Sequence, residues 1–565
     1  MTVQFLRVGP SPLHETAEQH MVPMRDGTRL ATDVHLPPAP RKHAAVVSRV
    51  PYDKSSPYMA IHKIAEHYLA RGYVFVSQDV RGKFRSEGDT VPFVHEIEDT
   101  HDTLDWITRQ PWSNGAVAMV GDSYHGWTQW AGAASGHPAL RAIVPRVTSL
   151  EISDLSVLAG SGTDHALSLY HAKYFAHMWV DQGLYAYEVD WSVRPLRDLF
   201  EDAFASIGHR SAAVDSVIAG RPLTDPFHTR HPFAARPVPV LHRVGWFDNL
   251  IDASLRDHTA QLADPRWRDH AYLDADACDH HTYHLSQAPV PDEQDQALSE
   301  SVLDAMLPRY LGRTLDFLDA FVLGRGEPGA FPRAVWFQGH DGEHTAASWP
   351  PPAARELRLH PARGAQATTS ADGGTLTESA ETTTTAVRWT HDPLNPVPSP
   401  VRDPWVHLKE YPQEQHTHDR PDVATFTGDP VVAPLDLVGP VTATVSIETS
   451  AAAGHLFVKL HDVAPDGTAH MIVRGQRRIE GGGPRRARVD LGHTGYRLRT
   501  GHRLRLQICG SDFPLYAPHP GSDGDLWQAT AFSPAEQTLR IGGDHTRLTL
   551  TVADGPAQTP RRQPS

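Results

Sequence analysis

Val117-Ala118-Met119-Val120-Gly121-Asp122-Ser123-Tyr124-His125-Gly126 is the stretch on which the reading of this 565-residue chain turns. A strand-like apolar run meets glycine, serine and a second small residue, then passes directly into residues 124–135, which read as a helix. A serine at such a junction sits on a tight, strained turn, and small neighbours are needed where strand and helix approach closely. The free N–H groups at the start of the helix favour negative charge developing beside the hydroxyl. The spacing departs from G-x-S-x-G, because His125 occupies the second glycine position and Gly126 follows it. In isolation Ser123 also fits an ordinary helix N-cap; the strand–turn–helix context favours a nucleophile.

On both sides of this stretch strands and helices alternate. Residues 21–23 and 29–36 flank Asp26-Gly27, a hairpin signal. Residues 44–50 and 73–79 are short apolar runs of buried-strand type, with helical spacing over 61–68 between them. A helix over 98–109 ends at Pro111 and Asn114-Gly115, strand 116–120 leads into Ser123, and 141–147 is the next strand. Such alternation predicts a mostly parallel sheet covered by helices. From 148 to 235 strand-like runs vanish, and 167–180 and 195–207 are helical and rich in Tyr, His and Trp. Runs 237–244 and 271–275 resume the buried-strand pattern, followed by two amphipathic helices, 299–311 and 315–323, and a stop at Gly324-Arg325-Gly326. Beyond 346 short strands recur at 357–359, 441–447, 455–461, 470–473, 486–490, 503–509 and 547–552, which suggests a sandwich or jelly roll. Residues 368–385 read as surface loop or edge strand, and 555–565 as a disordered tail. The expected division is an α/β core over 1–147 and 236–345, a helical cap inserted at 148–235, and a jelly-roll β-sandwich over 346–565.

Bulk properties narrow the function. A formal charge of −15 argues against a nucleic-acid-binding surface and against an anionic membrane as partner. No stretch approaches the ~20 apolar residues of a membrane span, and residues 1–10 lack the pattern of a signal peptide, so a soluble cytoplasmic protein is expected. Two cysteines, Cys278 and Cys509, make no disulfide framework. The 36 histidines invite a metal reading, with His280, His281 and His284 clustered. No HExxH pattern and no Cys–His pairing at zinc spacing supports it, so no metal or other cofactor is expected. A homodimer is left open.

A serine hydroxyl attacks only when a histidine takes its proton and a carboxylate orients that histidine. In α/β-hydrolases the order along the chain is Ser, then Asp or Glu, then His. Strand 237–244 ends in Gly245-Trp246-Phe247-Asp248, where the acid is expected, although a helix cap is an equal reading of Asp248 alone. Strand 271–275 ends in Asp276-Ala277-Cys278-Asp279-His280-His281, where the base is expected; His280 is preferred, with His281 and His284 as competitors. The backbone N–H of Tyr124 should contact the oxyanion. Tyr52, in Val50-Pro51-Tyr52-Asp53-Lys54, either adds its phenol O–H or anchors a proline loop.

Together these segments resemble the bacterial cocaine esterase / X-Pro dipeptidyl-peptidase group of α/β serine hydrolases. The likeness rests on Arg49-Val-Pro-Tyr52-Asp-Lys54, Asp79-Val-Arg-Gly-Lys-Phe-Arg-Ser-Glu-Gly88, Gly121-Asp-Ser-Tyr-His-Gly126, Gly245-Trp-Phe-Asp248 and Asp279-His280. Leu504 to Ser511 followed by Phe513-Pro514 extends it into the last third. The resemblance accounts for Gly126, because this group uses G-x-S-Y-x-G. It implies an α/β-hydrolase core, a helical cap, a C-terminal jelly roll, and Tyr52 as the side-chain oxyanion donor. Where the group commonly has Gly-Pro-Trp before the base, this chain has Asp276-Ala277-Cys278, which leaves His281 open. The expected activity is hydrolysis of a small-molecule carboxylic ester through an acyl-serine. Cap residues Tyr170, His171, Tyr174, Trp179, Tyr185 and Tyr187 suggest an apolar or aromatic acyl group. The alternatives are an amidase, X-Pro-type peptidase or aminoacyl ester hydrolase, an acyltransferase or cyclase of a biosynthetic pathway, and a jelly-roll binding protein carrying an inactive hydrolase.

Overall fold

The computed structural model describes residues 6–38, 41–155, 166–186, 189–221, 223, 225–281, 298–401, 408, 410–414 and 417–553. The chain divides into two compact units. One holds Met1–Leu155, Lys173–Val189 and Asp202–Arg333; the other holds Ser156–Ala172, Asp190–Glu201 and Ala334–Ser565.

The first unit carries strands β1 (Leu6–Val8), β2 (Glu18–Pro23), β3 (Arg29–His35), β4 (His43–Val50), β5 (Val74–Asp79), β6 (Ser113–Asp122), β7 (Leu140–Arg146), β8 (Leu184–Ala186), β9 (Val240–Gly245) and β10 (Ala271–Asp276). Its sheet runs β10-β9-β7-β6-β4-β5-β3-β2. Every pairing from β10 to β5 is parallel, and β3 and β2 add an antiparallel end. All residues of β4 and β5 are buried, as expected of parallel strands covered on both faces. The β2–β3 hairpin turns through Asp26-Gly27, where Gly27 takes a φ of 88° that an L side chain resists.

Helices α1 (Ile61–Ala70), α2 (Glu96–Thr108), α3 (Ser123–Ser135), α4 (Leu169–Met178), α5 (Leu196–Ile207), α6 (Ala212–Ile218), α7 (Ile251–Ala263) and α8 (Glu300–Phe321) follow in chain order. One face of the sheet packs Val46, Phe75, Ala118, Val144 and Leu241 against Tyr68 of α1 and Leu311, Leu315 and Leu318 of α8. The two helices read from the sequence over 299–311 and 315–323 are this single 22-residue α8, which continues through Pro308. Leu303, Leu307, Leu311, Leu315 and Leu318 make one continuous buried stripe, and burial of that stripe outweighs the hydrogen bond lost at proline.

The segment 148–235 was expected as one helical insertion. It holds α4, α5 and α6, and also β8, which pairs antiparallel with β1. It is shared between the units rather than standing as a body of its own. In the second unit its backbone is tied down by hydrogen bonds that sequence periodicity does not register: Ala166 N–H to Gln476 Oε1 (2.7 Å), Leu169 N–H to the Leu515 carbonyl (3.1 Å) and Arg197 N–H to the Trp527 carbonyl (3.0 Å).

Among the described residues from 334 onward the second unit is built of strands, with no α-helix. Its strands are β11 (Ala334–Gln338), β12 (Gly342–Ala346), β13 (Ala354–Ala362), β14 (Gly374–Thr377), β15 (Thr385–His391), β16 (Val423–Gly428), β17 (Leu435–Thr449), β18 (Ala453–Val463), β19 (Ala469–Glu480), β20 (Arg485–Leu498), β21 (Arg503–Cys509), β22 (Ala535–Ile541) and β23 (Arg547–Ala553). Strands β13 to β23, apart from β20, follow the order β15-β22-β17-β23-β13-β14-β16-β21-β18-β19, and β20 pairs with β17. Strand β13 passes from one sheet to the other: residues 354–359 pair with β23 and residues 360–362 with β14. The core between the sheets is built from Val441, Val445, Leu456, Val458, Leu506, Ile508, Leu548 and Leu550, among others. Residues 374–377, within the stretch read as loop or edge, form an interior strand between β13 and β16. The sequence had also shortened β17, whose alternation is broken by a register shift between Pro440 and Thr442. Residues 555–565, read as a tail, lie outside the described residues.

Candidate active site

Strand β6 ends and α3 begins at the elbow. Ser123, the first residue of α3, has a φ of 54°, a left-handed conformation that costs a non-glycine residue about 1–2 kcal/mol and aims the side chain away from both elements. Gly121 has a φ of 138°, and a Cβ there would stand 2.4 Å from His125 Nδ1. A Cβ on Gly126 would meet Thr148 Cγ2 at 2.6 Å and the Arg146 carbonyl at 3.1 Å. The displaced glycine therefore has a physical cause. The close approach of α3 to the end of β7 falls at 126, whereas His125 folds back over Gly121 and pairs through Nδ1 with Ser48 Oγ (3.1 Å). Burial pulls the His125 imidazole down to about 4, so it is neutral at pH 7 and packs edge-on to Tyr52.

The loops after β9 and β10 run side by side. Trp246 N–H donates to the Asp276 carbonyl (2.9 Å) and Phe247 N–H to the Cys278 carbonyl (3.0 Å). Gly245 makes this possible, since a Cβ there would lie 2.5 Å from the Cys278 carbonyl oxygen. Asp248 and His280 are thereby set next to each other. His280 Nδ1 lies 2.7 Å from Asp248 Oδ1, and His280 Nε2 lies 2.9 Å from Ser123 Oγ. Asp248 is 2% exposed and His280 9%, so the carboxylate–imidazole pair is shielded from competing water. His281 packs edge-on to Tyr58 instead, and His284 lies outside the described residues. The substitution Asp276-Ala277-Cys278 leaves His280 in register with Asp248.

Tyr52, from the loop after β4, places its hydroxyl 3.4 Å from Ser123 Oγ. Burial raises its phenol above the ordinary range, opposed by hydrogen bonding to Ser123, to Tyr174 and to the backbone of Tyr124. The phenol therefore keeps its proton at neutral pH, and it lies beside the Tyr124 peptide. The Tyr124 ring is 1% exposed and stacks on Phe93 at 4.8 Å. Its hydroxyl accepts from Phe93 N–H (2.8 Å) and donates to Glu96 Oε1 (3.0 Å). Glu96 in turn pairs with buried Arg49, which also bonds Gln78 and Thr100. Nothing in the sequence tied these residues together: Arg49 opens the Arg49–Lys54 motif, but it and Glu96 lie 75 and 28 positions before Tyr124.

Among the cap aromatics, Tyr174 stands 3.4 Å from the Tyr52 hydroxyl and Trp179 packs against Tyr124. Tyr185 is bonded to Asp181 and Tyr170 packs on Trp191; Tyr187 lies outside the described residues. Cys278 and Cys509 are both free and buried. Among the described residues no three His, Cys, Asp or Glu side chains form a group able to hold a metal ion, and no helix is long and apolar enough to cross a membrane.

A mostly parallel sheet flanked by helices, with a strained serine at the elbow after β6 and the carboxylate and imidazole in the loops after β9 and β10, defines an α/β-hydrolase core, here followed in the chain by an all-β domain. Residues 26–273 match the X-Pro dipeptidyl-peptidase (S15) family, and residues 330–549 match the X-Pro dipeptidyl-peptidase C-terminal non-catalytic domain. The chain is 29% identical over 555 residues to a cocaine esterase of Rhodococcus sp. (strain MB1 Bresler), covering 90% of this chain and 93% of that protein. The fold matches that of an aminopeptidase from the marine sediment archaeon Thaumarchaeota archaeon and that of an α-amino acid ester hydrolase. Each is 22% identical with a TM-score of 0.74, and each comparison covers 95% of this chain and 96% of the other. These likenesses make the chain a hydrolase that resembles the bacterial cocaine esterase / X-Pro dipeptidyl-peptidase group over most of its length.

Proposed function

We propose that this protein hydrolyses carboxylic esters with an apolar or aromatic acyl group through an acyl-serine intermediate. The observation that carries the reading is the continuous relay from Ser123 Oγ to His280 Nε2 (2.9 Å) and from His280 Nδ1 to Asp248 Oδ1 (2.7 Å). Ser123 Oγ attacks the acyl carbonyl as His280 Nε2 takes its proton. Asp248 accepts from His280 Nδ1–H, which fixes the tautomer and favours the imidazolium. The oxyanion receives the Tyr52 O–H and the Tyr124 N–H. His280 then protonates the leaving alkoxide, and a water molecule, deprotonated by the same imidazole, releases the acid and restores Ser123. The ester preference is supported by the cocaine esterase relative, and the apolar or aromatic acyl group by the rings of Tyr52 and Tyr174, a cap aromatic beside Tyr52.

Peptide-bond hydrolysis is the second reading, favoured by the family match over residues 26–273. The test is fluorophosphonate labelling with peptide mapping, followed by a panel of aryl and alkyl esters, amides and X-Pro amides with free and blocked N-termini. Ser123 is expected to carry the label, and Ser123→Ala to lower turnover on the best ester by roughly 10⁴–10⁶-fold. Substantial turnover by that variant refutes the assignment, and faster cleavage of X-Pro amides than of esters selects the peptidase reading.

A further inference from the structure

Resting on the reading of Ser123 as nucleophile and Tyr52 as oxyanion donor, we infer that Tyr174 is a positioning residue that aims and polarises the Tyr52 hydroxyl, so that a helix of the inserted segment completes the oxyanion site. The Tyr52 hydroxyl has two oxygen neighbours, Ser123 Oγ and the Tyr174 hydroxyl, each at 3.4 Å. A phenol has one proton to give. Once that proton and the neighbouring Tyr124 N–H turn to the oxyanion, the Tyr52 oxygen is left as an acceptor, and the Tyr174 O–H is placed to donate to it. A chain of this kind strengthens the terminal hydrogen bond, because each donation increases the acidity of the next O–H. The effect grows as charge develops on the substrate, so it acts on the transition state more than on substrate binding.

The backbone holds Tyr174 to this task. Lys83, fully buried in the loop after β5, donates through Nζ to the carbonyls of Met178 (2.5 Å), Asp181 (2.9 Å) and Gly183 (2.5 Å). These bonds satisfy carbonyl groups at the C-terminal end of α4 and in the turn after it, which the helix itself leaves without partners. Phe175, the next residue of α4, meets Phe93, which stacks on Tyr124, and Trp179 packs directly on the Tyr124 ring. One helix end thus stands against both proposed oxyanion donors. The side chain of Tyr174 is packed edge-on to Phe175 at 5.1 Å between ring centres, which restricts the swing of its ring.

The test is a double-mutant cycle in the full chain with Tyr52→Phe, Tyr174→Phe and the double variant, assayed on an aryl ester. Each substitution removes one oxygen and preserves the ring, and stoichiometric fluorophosphonate labelling of Ser123 establishes that each variant keeps its elbow. Tyr174→Phe is expected to lower kcat about two- to tenfold with KM nearly unchanged, the size of one modest hydrogen bond. The double variant is expected to be no slower than Tyr52→Phe alone, because Tyr174 acts through Tyr52. Wild-type kcat in Tyr174→Phe, or a loss that multiplies on that of Tyr52→Phe, overturns the inference. Absence of label on Ser123 in the wild-type chain overturns the underlying reading instead, whatever Tyr174 does.

Discussion

At neutral pH a serine hydroxyl is almost wholly protonated, and an ester carbonyl resists attack until the charge it gains has somewhere to rest. In the mechanism we propose, the residues around Ser123 address both problems with few atoms: the imidazole of His280 takes the proton, and the Tyr52 phenol and Tyr124 amide take the charge. Burial keeps the Tyr52 phenol above its ordinary range, so it remains a donor throughout the neutral and mildly alkaline range. Removing that O–H with Tyr52→Phe is expected to lower kcat about 10²–10³-fold while KM changes little, the loss of one oxyanion donor. Steady-state kinetics on an activated ester measure it; a change confined to KM would make Tyr52 a substrate-binding residue. The ring of Tyr124, locked by Phe93, Glu96 and Arg49, keeps the amide at its base from drifting.

The elements impose a different kind of constraint, namely how closely they approach. Gly126 is small because α3 leans on Thr148 and the end of β7. Gly126→Ala is expected to destabilise the chain by about 1–3 kcal/mol and to reduce turnover by tilting the helix that carries Ser123 and Tyr124. Gly312 offers the contrast within α8: a Cβ there meets nothing within 4 Å. Gly312→Ala is expected to stabilise by about 0.5–1 kcal/mol and to leave turnover unchanged. Urea unfolding and ester kinetics on the two variants test the comparison, and equal effects at both positions would refute the packing argument. The same logic applies where Gly245 lies against Cys278: that contact brings the loops after β9 and β10 together, and with them Asp248 and His280.

Across the whole molecule, pH acts through buried histidines. Burial lowers His125, His242, His340, His461, His493 and His519 to about 4 each. Between pH 6.5 and 4 the unfolded chain binds protons at these sites that the folded chain refuses, so stability falls as pH drops through that window. Asp79 and Asp257, raised by burial to about 6 and about 8, act in the opposite sense: each is protonated in the folded chain where the unfolded carboxyl is ionised, so their contribution declines as pH rises. With six groups against two, the urea midpoint is expected to fall between pH 6.5 and pH 4.5. A midpoint that is constant or rises over that interval would show that these imidazoles are protonated in the folded state. Below pH 4 the loss continues as Asp26 and Glu414, held near 2, take up protons; hydrogen bonding to Arg81 holds the first, and the charges of His461 and Arg505 help hold the second against burial.

Local order carries much of this protein in plain sight. Apolar runs of strand length, helical periodicity and a serine at a strand–helix junction disclose a parallel α/β core and an all-β remainder, because period and turn chemistry are properties of neighbouring residues. Ser123, Asp248 and His280 are singled out in the sequence by standing at strand ends, but only the folded chain places their polar atoms 2.7–2.9 Å apart. What belongs to tertiary structure alone is whatever joins distant residues: the anchor from Glu96 and Arg49 to Tyr124, the grip of Lys83 on the end of α4, the division of residues 148–235 between two units, and the continuation of α8 through Pro308. Each depends on partners far apart in the chain, and a contact of that kind leaves no periodic trace in the sequence.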